Sequence, residues 1–226
     1  MAKTVYVIPA RGGSKGIPKK NIKELNAKPL IHYAVESARA LAADEDIFVS
    51  TDSQEILACL KEINYSTDYM RPTDLAQDKS STYDVLIDAI SYWEGQGKSY
   101  EQVVLLQPTS PFRTSEHIAE ALTLMNDDVE MLVSVEESAH NPLGNCYIEN
   151  EEGSLRPVFA ANDGARQELT KSYRYNGAIY VMSIKALKER SYAQFSKISK
   201  YIMSERDSLD LDTLLDWEFA EFLMNR

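Results

Sequence analysis

Cysteine is scarce in this sequence. Cys59 and Cys146 are the only two in 226 residues, and they lie in different segments outside any CxxC pair. That argues against a disulfide framework and against a thiolate metal site. Cys59 falls on an apolar helical face and reads as a core residue. Long apolar runs are missing too: none approaches the roughly 18 residues of a membrane span. The first residues lack a signal-peptide apolar core, which predicts a cytoplasmic protein. Basic charge is in deficit, with 24 Lys and Arg against 35 Asp and Glu and a net charge of −11. A broad basic face for nucleic acid is thereby excluded. Internal repeats, low-complexity tracts and long linkers are absent.

What is present is a 44% hydrophobic chain, long enough for one substantial α/β domain. Its few cations cluster. The apolar run Val5–Ile8 reads as a buried first strand, and the loop after it carries Arg11, Lys15, Lys19 and Lys20 with no acid among them. Gly12, Gly13 and Gly16 let that backbone approach a ligand closely. A flexible basic loop at the carboxyl end of a first strand suits a polyphosphate. The plainer alternative is a surface turn with solvated lysines. The spacing fits neither a Walker loop nor a dinucleotide fingerprint, so a P-loop kinase and a Rossmann dehydrogenase are disfavoured.

Further on, Pro29 to about Ala43 reads as a helix with Pro29 in its first turn and His32 off the apolar face, in solvent. Ile47–Asp52 reads as a buried strand ending in an acid. Asp52 is either a ligand-facing residue or the cap of the helix Gln54–Ile63. Ser81 or Thr82 is a plausible cap for the helix that ends near Gly95. Val103–Leu106 reads as a central strand running into Gln107-Pro108-Thr109-Ser110-Pro111. A helix Ser115–Met125 follows, with His117 exposed. Another strand, Met131–Val135, comes next. The strand–helix alternation predicts a mainly parallel sheet with ligands at the carboxyl ends of its strands. Residues 138–173, with a hairpin at Cys146–Val158, read as an insertion outside that sheet. Near the end, Asp207, Asp210 and Asp212 crowd together beside Leu209 and Leu211. In an extended segment the leucines face one way and Asp210 and Asp212 the other. A divalent cation would relieve their repulsion, whereas the alternative is an acidic cap for the helix Leu214–Leu223.

Taken in order, several segments resemble the acylneuraminate cytidylyltransferases: Ile8-Pro9-Ala10-Arg11 with Ser14-Lys15-Gly16 and Lys20-Asn21; Arg71-Pro72 with Leu75-Ala76; Gln107-Pro108-Thr109-Ser110-Pro111; Arg166-Gln167; Arg174-Tyr175-Asn176-Gly177-Ala178-Ile179-Tyr180; and Asp207-Ser208-Leu209-Asp210-Leu211-Asp212. The resemblance implies a Rossmann-like nucleotidyltransferase fold in a single domain over 1–226, with an arm at about 138–173 that makes a homodimer. It implies transfer of CMP from CTP to a nine-carbon 2-keto sugar acid of the nonulosonic class. CTP contacts would come from Ala10, Arg11, Gly12, Ser14, Lys15, Asn21, Arg71, Ser80 and Thr82. The sugar would meet Gln107, Arg166, Arg174 and Tyr180. Mg²⁺ would sit on Asp210 and Asp212, and catalysis would rest on these two with Arg11 and Lys15. One departure from the family pattern is Gly144 after His140-Asn141-Pro142-Leu143, where many members carry a basic residue. A Kdo-type cytidylyltransferase and a non-catalytic nucleotide-binding scaffold are the alternatives.

Overall fold

Buried β-branched runs fix the centre of the molecule. The structure, a computed structural model, describes residues 2–14, 16–77, 79–159 and 170–226. Strands β1 (Thr4–Pro9), β4 (Ile47–Ser50), β5 (Gln102–Leu105), β6 (Met131–Glu137), β9 (Tyr173–Ser183) and β10 (Ile198–Ile202) form one sheet in the order β10-β6-β9-β5-β1-β4. All run in one direction except β9, which is antiparallel to β5 and β6. The sheet is thus mainly parallel, as the strand–helix alternation predicts. The exception has a cause in the chain path: the chain leaves the sheet after Glu137 and re-enters at the same end, with Tyr173 opposite Glu137, so β9 runs back against β6.

Alternation along β1 divides the core. Tyr6 and Ile8 pack toward helices α1 (Leu30–Arg39), α2 (Gln54–Lys61) and α4 (Ser115–Thr123). Val5 and Val7 pack toward α3 (Thr82–Gly95) and α5 (Ile184–Glu189). A third, small core joins Ile17, Leu25, Leu30 and Leu211 to Trp217 and Ala220 of α6 (Leu214–Met224). It clamps the loop after β1 to the acidic segment before α6. A short ribbon of β2 (Glu24–Leu25) and β3 (Lys28–Pro29) leads into α1. The hairpin β7 (Tyr147–Glu149) and β8 (Leu155–Pro157) stands apart from the main sheet, with Tyr147, Leu155 and Phe159 exposed.

Several local expectations need correction. Helix α1 stops at Arg39 rather than near Ala43, because the Arg39 guanidinium forks onto Asp44 at 2.6 Å and caps the Ile63 carbonyl at 2.7 Å, turning the chain back. Pro29 is its N-cap, in extended backbone, and not part of its first turn. His32 is buried rather than solvated, its Nε2 3.0 Å from the Cys59 carbonyl oxygen and 3.3 Å from Cys59 Sγ. That nitrogen is committed to a carbonyl acceptor, and burial pushes the Cys59 thiol up to about 11. The two therefore behave as satisfied core groups. His117 is half-buried and completes a capping box, its Nδ1 accepting from the Thr114 amide at 3.3 Å. No helix is long and apolar enough to cross a membrane among the described residues.

Candidate active site

The carboxyl ends of β1 and β5 open into one cavity of about 620 Å³. Sequence dictates what each end contributes. After β1, the glycine-rich loop brings Arg11 and Ser14 to the wall. Its shape is fixed from behind. Asp52, just after β4, accepts the Gly12 amide at 2.8 Å, and Asn21 Nδ2 donates to the Arg11 carbonyl at 3.0 Å. Asp52 is thus neither cavity wall nor helix cap; Ser53 caps α2. Ala10 and Gly12 stand back from the wall as well. Ala10 is fully buried, bonded through its amide to the Ser50 carbonyl at 2.8 Å, and the Gly12 amide is spent on Asp52. Neither lines the cavity, whereas Asn21 does.

The 71–82 loop forms a second wall. Arg71, Ser80 and Thr82 all line the cavity. Arg71 is buried, its Nε donating to Ser50 Oγ at 2.9 Å and its Nη2 to the Ser50 carbonyl at 2.6 Å. Burial holds this guanidinium below its ordinary value. Ser80 Oγ donates to the Asp74 carbonyl at 2.7 Å, and Ser81 caps α3.

At the end of β5, Gln107 lines the cavity beside Thr109. Arg113 ties this turn to β9 through Nη1, 2.9 Å from both the Gln107 and Ala178 carbonyls. It is buried, and desolvation lowers its affinity for its proton. Gly177 faces the same place. Its φ is +76°, and a methyl there would come within 2.7 Å of Gln107 Oε1 and 3.6 Å of Asp210 Oδ2. Only glycine allows both the backbone turn and that approach.

Asp210 and Asp212 both reach the cavity. Leu211 between them is fully buried, and its amide donates to the Thr109 carbonyl at 2.9 Å. The predicted alternation of leucine and aspartate therefore holds. The cap alternative for Asp212 does not: Thr213 caps α6, with Asp216 as its reciprocal partner. Desolvation, with the neighbouring Asp212 charge behind it, holds the Asp210 carboxyl above its ordinary value. Asp210 Oδ1 is buried and has no hydrogen-bond partner among the described residues. Lys20 is the cation that the sequence reading passed over here. Its Nζ donates to the Leu211 carbonyl at 2.6 Å and to Asp212 Oδ1 at 3.1 Å. Its signals in the sequence were its place in the basic loop and the Lys20-Asn21 pair of the resemblance.

Other expected residues are not in the cavity wall. Arg174 is paired with Glu136 across the β6–β9 ladder. Tyr180 packs in the sheet core beneath the cavity, and burial pushes its phenol up to about 12. Lys15 and Arg166 lie outside the described residues.

Three comparisons bear on this site. The sequence model of one family, Cytidylyltransferase, matches residues 5–180. The chain is 33% identical over 220 residues to the CMP-N,N'-diacetyllegionaminic acid synthase of Legionella pneumophila, covering 96% of this chain and 94% of that one. It is 36% identical over 219 residues to the N-acylneuraminate cytidylyltransferase of Streptococcus agalactiae, covering 95% of this chain and 52% of the relative. The chain thus spans about half the length of that relative. The pseudaminic acid cytidylyltransferase of Campylobacter jejuni is 28% identical over 222 residues, with 98% and 96% covered. Among solved structures, a CMP:2-keto-3-deoxy-manno-octonic acid synthetase complexed with CTP superposes with a TM-score of 0.72 at 19% identity, over 99% of each chain. That likeness bears on the fold.

Proposed function

The chain belongs to the cytidylyltransferase family, and from that premise we propose that it transfers CMP from CTP to the anomeric hydroxyl of a nonulosonic acid, releasing pyrophosphate. The observation that carries this reading is a single cavity walled by three chemistries. The loop after β1 offers Arg11, Ser14 and Lys20. The 71–82 loop offers Arg71 and hydroxyls. The far wall offers Gln107, Asp210 and Asp212. The relatives' printed names cover three nonulosonic acids, so the acceptor is assigned as a class.

The reaction is an in-line displacement. The anomeric oxygen forms a bond to the α-phosphorus as the bond to the pyrophosphate oxygen breaks, and the hydroxyl gives up its proton. Arg11 and Lys15 hold the phosphates and offset charge on the leaving group. Arg71 is a donor-only group suited to the acceptor edge of cytosine. Gln107 orients the sugar, and Arg166 and Arg174 are assigned to its carboxylate, which Arg can bind by two parallel hydrogen bonds. For Arg174 this requires release from Glu136. Among the described residues no histidine lines the cavity. Positioning and electrostatics, rather than a histidine base, therefore carry the rate in this reading.

The site suits Mg²⁺. Its donors would be carboxylate oxygens, and Asp210 holds a buried oxygen with no hydrogen bond to lose. When bound, the ion supplies Lewis-acid polarisation of a phosphoryl oxygen. Asp210 and Asp212 would hold it, and Lys20 restrains Asp212. The arm hairpin supports a homodimer, and the reading places the enzyme in the cytoplasm. Replacing Asp210 or Asp212 with Asn keeps shape and removes charge. Turnover at ordinary Mg²⁺ should fall by roughly a hundredfold or more in each variant. Full turnover in either one removes that residue from the cation site.

A further inference from the structure

The ladder between β6 and β9 breaks at one place. Val133 pairs with Tyr180 and Val135 with Tyr175, so two steps along β6 face five along β9. The three extra residues on β9 leave backbone groups without ladder partners, and such groups need others when buried. Ser134, fully buried, sits in the break. Its Oγ accepts the Ile179 amide at 2.7 Å and donates to Asn176 Oδ1 at 2.6 Å. Asn176 Oδ1 also accepts the Ala178 amide at 3.2 Å, which fixes which way the side-chain amide points. The other end, Nδ2, is therefore aimed outward from the strand. It donates to Ser208 Oγ at 2.9 Å. Ser208 is buried, and its own amide donates to the Ser204 carbonyl at 3.0 Å.

Ser208 stands two residues before Asp210. Asn176 stands next to Gly177, the glycine that packs against Gln107 and Asp210. A bulge in the sheet and the acid-bearing segment are thus bolted together by three neutral side chains. None of the three lines the cavity. Both ends of the Asn176 amide are already bonded within the protein, so it acts through Ser208 and not on a ligand.

We propose that Ser134, Asn176 and Ser208 are positioning residues that pin the 207–212 segment and so hold Asp210 where it takes the divalent cation. This rests on the reading of Asp210 as a cation ligand. A carboxylate on a loosely held segment must be ordered when the cation binds, which weakens binding without touching the ligand itself. The network is satisfied throughout, and removing one buried partner leaves another unpaired.

The test compares Ser208→Ala and Ser134→Ala with the parent enzyme and with Asp210→Asn. Ser208→Ala removes one oxygen from a buried site and is the mildest probe. Ser134→Ala reaches the same network from its other end and serves where the first variant does not fold. Two quantities are read: the Mg²⁺ concentration giving half-maximal pyrophosphate release, and amide hydrogen exchange along the chain. Each serine variant should raise the Mg²⁺ requirement by about three- to tenfold, in line with a lost buried hydrogen bond. Exchange in 207–212 should quicken by about tenfold, with β1 and β5 unchanged. A parent-like Mg²⁺ response and exchange in both serine variants, beside an inactive Asp210→Asn, overturns the positioning role alone. Uniformly faster exchange with an unchanged Mg²⁺ requirement also overturns it, since the network would then serve global stability only. Parent-like turnover in Asp210→Asn overturns the cation reading itself.

Discussion

Gly16 is where the cationic loop meets the acidic segment. A methyl at this position would overlap the Asp212 carbonyl oxygen, which is backbone and cannot swing aside. Gly16→Ala therefore pushes the two walls of the cavity apart. Turnover should fall by about ten- to a hundredfold, since an ångström-scale misplacement costs this much in a preorganised site. Kinetics with varied CTP check this, and parent-like kcat would mean the approach has no part in catalysis. The sequence made this glycine visible as a flexible point but not its neighbour, because a contact across nearly two hundred residues leaves no local pattern. The same reason hid Lys20, whose partners are Leu211 and Asp212, and Asp52, whose partner is Gly12. His32 was misplaced for a different reason. Its helical position says only that it lies beside the apolar face, and the approach of Cys59 on α2 completes its burial.

At the scale of elements, α6 matters more than its place at the end of the chain suggests. Trp217 fills the third core with Leu211 and Ile17, and Lys23 Nζ lies 3.8 Å from the centre of its ring. Trp217→Ala should cost about 3–5 kcal/mol, as for other buried aromatic truncations. The loss should show as a lower melting temperature together with a raised Mg²⁺ requirement, because Leu211 is anchored there. A lower melting temperature with unchanged Mg²⁺ dependence would confine α6 to a structural role. Elements such as β1, β4 and β5 were legible because a buried parallel strand is written as a continuous apolar run. The Asp–Leu alternation before α6 was legible for a similar reason, since one face of an extended segment must be buried. The antiparallel direction of β9 was not legible. Direction depends on where the inserted arm returns, and no residue pattern encodes that.

For the molecule as a whole, the fold and the edge that carries the cavity followed from strand–helix alternation and from the cluster of cations in an acidic chain. The hairpin within 138–173 was recognisable from its turn composition, and the pairing of β7 with β8 bears that out. In the homodimer proposed above, the exposed Leu155 and nearby Phe159 would be covered by the second copy. Sedimentation at micromolar concentration should give a dimer, and Leu155→Glu with Phe159→Glu should give a monomer. A parent protein that sediments as a monomer would contradict the arm's assignment.

The central claim is the reaction itself. Its most direct measurement incubates the protein with Mg²⁺, one nucleoside triphosphate and one sugar acid at a time, and identifies the products by mass. The account predicts a CMP-sugar and equimolar pyrophosphate from CTP with at least one nonulosonic acid, and far less product from UTP. Equal use of both nucleotides, or product with an eight-carbon acid and none with any nine-carbon acid, would contradict it.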